Sequence, residues 1–460
     1  MNEEYDTVVC GTGLTECVIS GLLSQKYKDE NKRILHVDRN NFYGGEGASL
    51  NLTNLWKHFR PGKEVPQYLG QNRDWNIDLI PKFIMSNGKL VKLLLKTSVS
   101  KYLEWKSIDG TYVYQMKEGG LFSSGGAKIF KVPTNDKEAL HSDLMGLFEK
   151  RRCQKFFKYI QKYEANDPST HGHFKPNQTP MKDVFKKYEL ETNTIDFVGH
   201  AVALYSNDQY LNQPMYETME RIQLYFDSHG RYGDSPFIYP VYGLGGIPEG
   251  FSRMCAIYGG TFMLNTDIEE ILFDESGNVS GVRNGQEVAK CKKVICDPTY
   301  LVKLGLQDKY LKNTGKVIRA ICILDHPIPK TKDIPSVQVI IPQQQTKRQS
   351  DIYVMMVSSV HNVCKKGYYI AIISTMVETS NPLAELTPAF ELIGAVKEQF
   401  VIISDMWETK PDAPKNGIYV SNSFTPQSHF EAETDDILKL YKDITGEEVD
   451  LENLPQDQDE

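Results

Sequence analysis

The chain has 460 residues, with 52 Lys and Arg against 60 Asp and Glu, so it carries a formal charge of -8. Hydrophobic residues at 40% and charged residues at 24% support a sizeable core and exclude global disorder. The acidic balance argues against a general nucleic-acid binder, and the length suits about three domains, or two with one interrupted.

Residues 6–10 predict a short buried strand, Gly11-Thr12-Gly13 a tight turn, and residues 16–23 the helix after it. Residues 33–37 predict the next strand, ending at Asp38, with a polar loop over 27–32. This βαβ opening implies a parallel α/β sheet. Between about residues 140 and 225 the apolar spacing becomes helical, as in Phe148, Phe156, Tyr159 and Ile160, then Val198 and Val202. Asp167-Pro168, Lys175-Pro176 and Thr179-Pro180 punctuate what reads as an all-helical insert. Strands return after Pro236, at 261–264, 268–273, 279–282 and 293–296, with a hairpin turn over 274–278. Residues 317–324, 337–341, 352–358 and 368–375 predict a second, mostly antiparallel sheet. A helix over 435–444 and an acidic mobile tail from 446 to 460 close the chain.

The eight cysteines contain no C-x-x-C pair and read as small core residues in a reducing compartment. His36, His200, His326, His361 and His429 show no metal-binding spacing. Neither a G-x-S-x-G elbow nor a P-loop lysine is present, so no catalytic constellation emerges. The acidic Met1-Asn2-Glu3-Glu4 start predicts no signal peptide, and no apolar stretch approaches the ~20 residues of a membrane span.

Gly11, Gly13 and Asp38 lie where a dinucleotide fingerprint places its glycines and its ribose-binding acid. Two carboxylates spoil that site. Glu16 replaces the third glycine, near the helix N-terminus where a pyrophosphate binds. Glu46 follows Tyr43-Gly44-Gly45, where amine-oxidase-type flavoproteins commonly carry an arginine. The degenerate site therefore predicts no bound FAD or NAD, and a fold kept for its shape.

Residues 5–16, the Tyr43-Gly44-Gly45-Glu46 turn and Arg73-Asp74-Trp75-Asn76-Ile77-Asp78 through Phe83 resemble the Rab GDP-dissociation inhibitor family. So do Leu144-Met145-Gly146, Gly199-His200-Ala201, Arg231-Tyr232-Gly233, Tyr242-Gly243-Leu244-Gly245 and Ser428-His429-Phe430-Glu431. The likeness runs from about residue 4 to 445. The related Rab escort proteins are longer, so the chain resembles the inhibitor branch. An escort protein and a flavin-dependent oxidoreductase are the alternatives.

The resemblance implies an α/β, flavoprotein-like (FAD/NAD(P)-binding, Rossmann-type) multi-sheet domain over 1–131 and 227–445, interrupted by an all-helical domain over 132–226. It implies a monomeric, non-enzymatic carrier without cofactor or metal. That carrier binds GDP-bound, geranylgeranylated Rab GTPases, slows GDP release, extracts them from membranes and recycles them through the cytosol in vesicular transport. It would be cytoplasmic, with transient membrane contact and no nucleic-acid partner. Rab contacts carry over to Tyr43, Arg253, Thr261, Met263, Arg231 and Tyr232. The chain departs from the family at Gly246, where a glutamate is usual. Glu249 is expected to compensate one helical turn away. Asp234 replaces a usual lysine. A prenyl-lipid pocket is expected among Leu144, Met145, Phe148, Phe156, Val198 and Val202, positions that on the residues alone better suit an ordinary bundle core.

Overall fold

The computed structural model describes residues 2–30, 32–117, 126–132, 146–233 and 235–453. Thr7–Cys10 is buried along its whole length, as a strand covered on both faces must be. It lies at the centre of a five-stranded parallel sheet. In order, the strands are Thr261–Met263, Ile34–Val37, Thr7–Cys10, Lys293–Cys296 and Ile418–Val420. The helix after the first strand is longer than the apolar pattern suggests. It runs over Leu14–Tyr27, taking in Tyr27, the first residue read as loop, because that side chain packs into the core.

The second sheet has seven strands, in the order Glu398–Thr409, Leu311–Leu324, Tyr369–Met376, Ile352–Ser358, Val337–Ile341, Gly110–Lys117 and Gly126–Lys131. Its pairs are antiparallel except Val337–Ile341 with Gly110–Lys117. The expected hairpin joins Glu270–Phe273 to Val279–Asn284. All eight cysteines are buried and unpaired.

Helices fill the segment between these strands: Leu147–Lys162, Met181–Lys187, Thr192–Asp196 and Met215–Ser228, with a π-turn over Phe197–Val202. Their apolar side chains join those around Leu14–Tyr27 in one continuous cluster. Along Leu147–Lys162 the buried stripe is Glu149, Cys153, Phe156 and Ile160, at three- and four-residue spacing. Glu149 is satisfied there by Arg152 and by the backbone N–H of Glu191.

The segment from Gly446 was expected to be mobile. Through Asn453 it is tied down instead. Val449 and Leu451 pack on the core, Lys26 pairs with Glu447 at 2.7 Å, and Lys92 pairs with Glu452 at 2.9 Å. Residues 454–460 lie outside the described residues.

Candidate functional site

The nucleotide turn is built as the sequence suggests and then filled by its own side chains. Thr12 donates from its backbone N–H and its hydroxyl to Asp38 Oδ2, both at 2.6 Å. Asn40 N–H takes Asp38 Oδ1 at 2.7 Å. Both oxygens of the ribose-binding acid are therefore engaged. Gly44, at φ +105°, lets the double-glycine turn dock through its N–H on Thr12 O at 2.9 Å. A side chain at Gly44 would press on the Ala48 backbone.

Glu16 folds back over this turn. Its Oε2 stands 2.5 Å from where a Cβ on Gly13 would lie, and Oε1 accepts from Ser421 Oγ at 2.8 Å. Burial, with Asp297 close by, pushes its pKa up to about 8. At neutral pH it is mostly the uncharged acid. The obstruction is thus occupied space and used hydrogen bonds before it is charge repulsion, which is where the structure departs from the sequence reasoning. Asp297 is also raised by burial. Glu46 touches solvent, yet desolvation by the chain around it and Asp297 raise its pKa while Arg319 opposes them. This constellation does not fit a dinucleotide. The pyrophosphate space holds Glu16, and the cations nearby are committed elsewhere. Arg39 stacks at 3.7 Å on Tyr300, and Arg319 donates to the carbonyls of Phe424 and Thr425.

Beside the filled turn lies an exposed strip. The Tyr43 ring is 6.4 Å from Phe262, which stacks at 4.7 Å on His36. Burial, then Cys17 and Glu249, raise the Tyr43 phenol, which places Glu249 within electrostatic reach of it. Glu249 and Arg253 stand one turn apart on Gly246–Ile257, both exposed. Arg253 lies 4.6 Å over the ring of Tyr102, itself 47% exposed. Tyr43, Glu249, Arg253 and Tyr102 therefore form one surface of aromatic and charged groups, with Arg253 in no ion pair among the described residues. Gly246 faces Leu103, where a Cβ would come within 2.9 Å of Cδ2.

Not every expected residue joins the strip. Thr261 and Met263 flank Phe262 on the same strand, so their side chains leave the opposite sheet face. Met263 packs on the apolar cluster around Val37 and Ile268. Arg231 and Tyr232 are exposed, and Arg231 donates to Asn87 Oδ1 while lying over Tyr232. Asp234 lies outside the described residues. Phe262 and Tyr102 were missed. Phe262 was legible as the odd residue between Thr261 and Met263; Tyr102 had no signal of its own.

The expected lipid pocket divides. Phe156, Val198 and Val202 are buried in the common apolar cluster. Beside Val198, Gly199 leaves no spare room, because a Cβ there would collide with the Tyr210 ring and hydroxyl. Phe148 does not belong with them. It is 73% exposed, because it precedes the Glu149–Cys153–Phe156–Ile160 stripe by about 100° of helical turn. Leu144 and Met145 lie outside the described residues. Among the described residues no group of His, Cys, Asp and Glu is placed to hold a metal ion, and no helix is long and apolar enough to cross a membrane.

A family model described as GDP dissociation inhibitor matches residues 1–456. The chain belongs to the GDP dissociation inhibitor family. A probable secretory pathway GDP dissociation inhibitor 1 from Schizosaccharomyces pombe is 50% identical over 460 residues, 100% of both chains. Rab GDP dissociation inhibitor beta from Rattus norvegicus is 49% identical over 455 residues, 99% of this chain and 98% of its own. A crystal structure of a Rab GDI from Plasmodium falciparum matches with a TM-score of 0.92 at 49% identity, over 98% of this chain and 100% of that one. An oxidoreductase from Methanosarcina mazei, at 14% identity and a TM-score of 0.60 over 95% of this chain and 100% of its own, shares the fold alone. The flavoprotein-like architecture expected of the family is the one observed.

Proposed function

We propose that the chain is a Rab GDP-dissociation inhibitor. It binds GDP-bound, geranylgeranylated Rab GTPases, slows their GDP release, and carries them between membranes through the cytosol. The observation that carries this reading is near-50% identity over the full length to proteins named as inhibitors of this kind. It favours an inhibitor over an escort protein, and the self-filled nucleotide turn favours a binding protein over a flavin oxidoreductase. The chain is read as a monomeric regulator and not a catalyst.

The work divides between two sites. The sheet domain, 1–131 with 227–445, presents Tyr43, Glu249 and Arg253 to the switch regions of the GTPase, which differ between its GDP and GTP states. Arg231 and Tyr232 extend this contact. Thr261 and Met263 support it from beneath through the strand they share with Phe262. Tyr43 buries large area at low entropic cost, and Arg253 is the exposed cation of the strip. Selective binding of the GDP form slows nucleotide loss by linkage, without chemistry.

The helical domain, 132–226, takes the lipid between Phe156, Val198 and Val202. These side chains are buried in one continuous apolar cluster, so entry requires the helices to part. Each buried methylene of the isoprenoid contributes about 0.8 kcal/mol toward that opening. Two linked sites give avidity with neither being strong alone. The reading is tested by measuring affinity for a prenylated Rab loaded with GDP or a GTP analogue. Tighter binding of the GDP form by tenfold or more supports it, and equal affinity refutes it.

A further inference from the structure

We propose that the outward face of Leu147–Lys162 docks on an anionic lipid surface. Phe148, Arg151, Lys155, Lys158 and Lys162 recur at three- and four-residue spacing, so they line one face, opposite the buried stripe of Glu149, Cys153, Phe156 and Ile160. All five are exposed, and Phe148 at 73% is the most exposed large apolar side chain among the described residues. The basic residues off this face are engaged: Arg152 pairs with Glu149 and Glu191, and Lys150 has an interaction of its own. The four cations of the face have no ion pair among the described residues, and the face carries no acid.

An all-cationic stripe is out of character on a chain of charge -8. The acids elsewhere do not cancel it, because at physiological ionic strength the Debye length is about 8 Å. A flat row of lysines and one arginine, with an aromatic side chain at one end, suits phosphatidylserine-type headgroups, where cations bind the surface and the ring enters the interface. The row is far less suited to a concave acidic pocket, which would need a protruding tip. The inference rests on the proposed membrane step in the chain's function, and it names the surface that performs it.

The test uses the full chain and no GTPase. Flotation with phosphatidylcholine vesicles is compared with flotation on vesicles containing about a third phosphatidylserine. Binding is expected only to the anionic vesicles, falling steeply with salt. A cation near such a surface contributes about fivefold in partitioning, so Arg151→Glu, Lys155→Glu and Lys158→Glu together, which remove three cations and add three repelled anions, should lower it by at least about a hundredfold. Lys292→Glu, Lys312→Glu and Lys366→Glu, exposed positions outside the stripe with the same change in net charge, should lower it less than threefold. Phe148→Ala should weaken binding without changing its salt dependence. Thermal melting of each variant confirms the fold. The proposal is overturned if the folded stripe variant binds like the native chain, if the scattered variant loses as much, or if neutral and anionic vesicles bind equally. Rab binding in solution is measured separately, so loss of vesicle binding alone leaves the carrier function standing, and loss of Rab binding alone leaves this surface standing.

Discussion

Replacing His200 with alanine tests how the helical segment is fastened to the large sheet. The His200 ring is fully buried in the π-turn, with Nδ1 2.7 Å from Asp351 Oδ2 and Nε2 3.0 Å from Asp208 Oδ1. Burial alone would lower its pKa, but the two carboxylates overcome this and raise it to about 10. The folded state therefore holds the proton more tightly than the unfolded chain, whose ordinary value is about 6.5. This stabilisation is full below about pH 6.5 and is lost as pH rises through about 10. The difference sets a ceiling of about 5 kcal/mol. Burial raises Asp351 as well, which subtracts from it. A buried pair that loses one partner costs about 3–5 kcal/mol, so His200→Ala should cost about 3–4 kcal/mol at pH 7. Guanidinium unfolding of both proteins between pH 6 and 10 reads this directly. The gap between them should narrow steadily toward pH 10, where only the pH-independent loss of ring packing remains. A gap that stays constant with pH, or one under about 1 kcal/mol at pH 7, would refute a protonated His200 as the fastening.

Three further outcomes follow from the site. Arg253→Ala should weaken binding of GDP-loaded Rab by about 1–3 kcal/mol, with melting unchanged because Arg253 is exposed and lies over the exposed ring of Tyr102; an unchanged affinity removes it from the contact surface. Glu16→Gln should be nearly neutral at pH 4.5 and stabilising by up to about 4 kcal/mol at pH 7.5. The native acid, raised to about 8, loses stability as pH climbs from its ordinary range through that value. Denaturation at the two pH values checks the difference, and a destabilised variant at pH 7.5 would count against a neutral Glu16. Gly199→Ala should cost about 1–3 kcal/mol through overpacking against Tyr210, read as a lower melting temperature, and an unchanged one would mean Tyr210 yields freely.

Local signals carried most of the fold. The β-branched runs, the glycine turn and the switch from alternating to helical spacing located the parallel sheet, the inserted helices and the hairpin. What they did not show depends on residues far apart in the chain. Gly110–Lys117 joins the large sheet by pairing with Val337–Ile341, a partner more than two hundred residues away. Asp351 reaches His200 across 151 positions. The two spoiling glutamates were legible at Glu16 and Glu46, but the neutral state of Glu16 comes from burial beside Asp297, against the opposing hydrogen bond from Ser421, and only the folded chain brings these residues together. Phe148 shows the limit of composition. Its residue type suits a lipid pocket, but its helical phase turns it to solvent.

The central claim is tested most directly by release from membranes. Membranes carrying a geranylgeranylated Rab are loaded with GDP or with a non-hydrolysable GTP analogue, the protein is added, and Rab is measured in the supernatant. Release of the GDP-loaded form in proportion to added protein, with the GTP-analogue form left on the membrane, is the predicted result. Equal release of both forms, or none of either by folded protein, would contradict it.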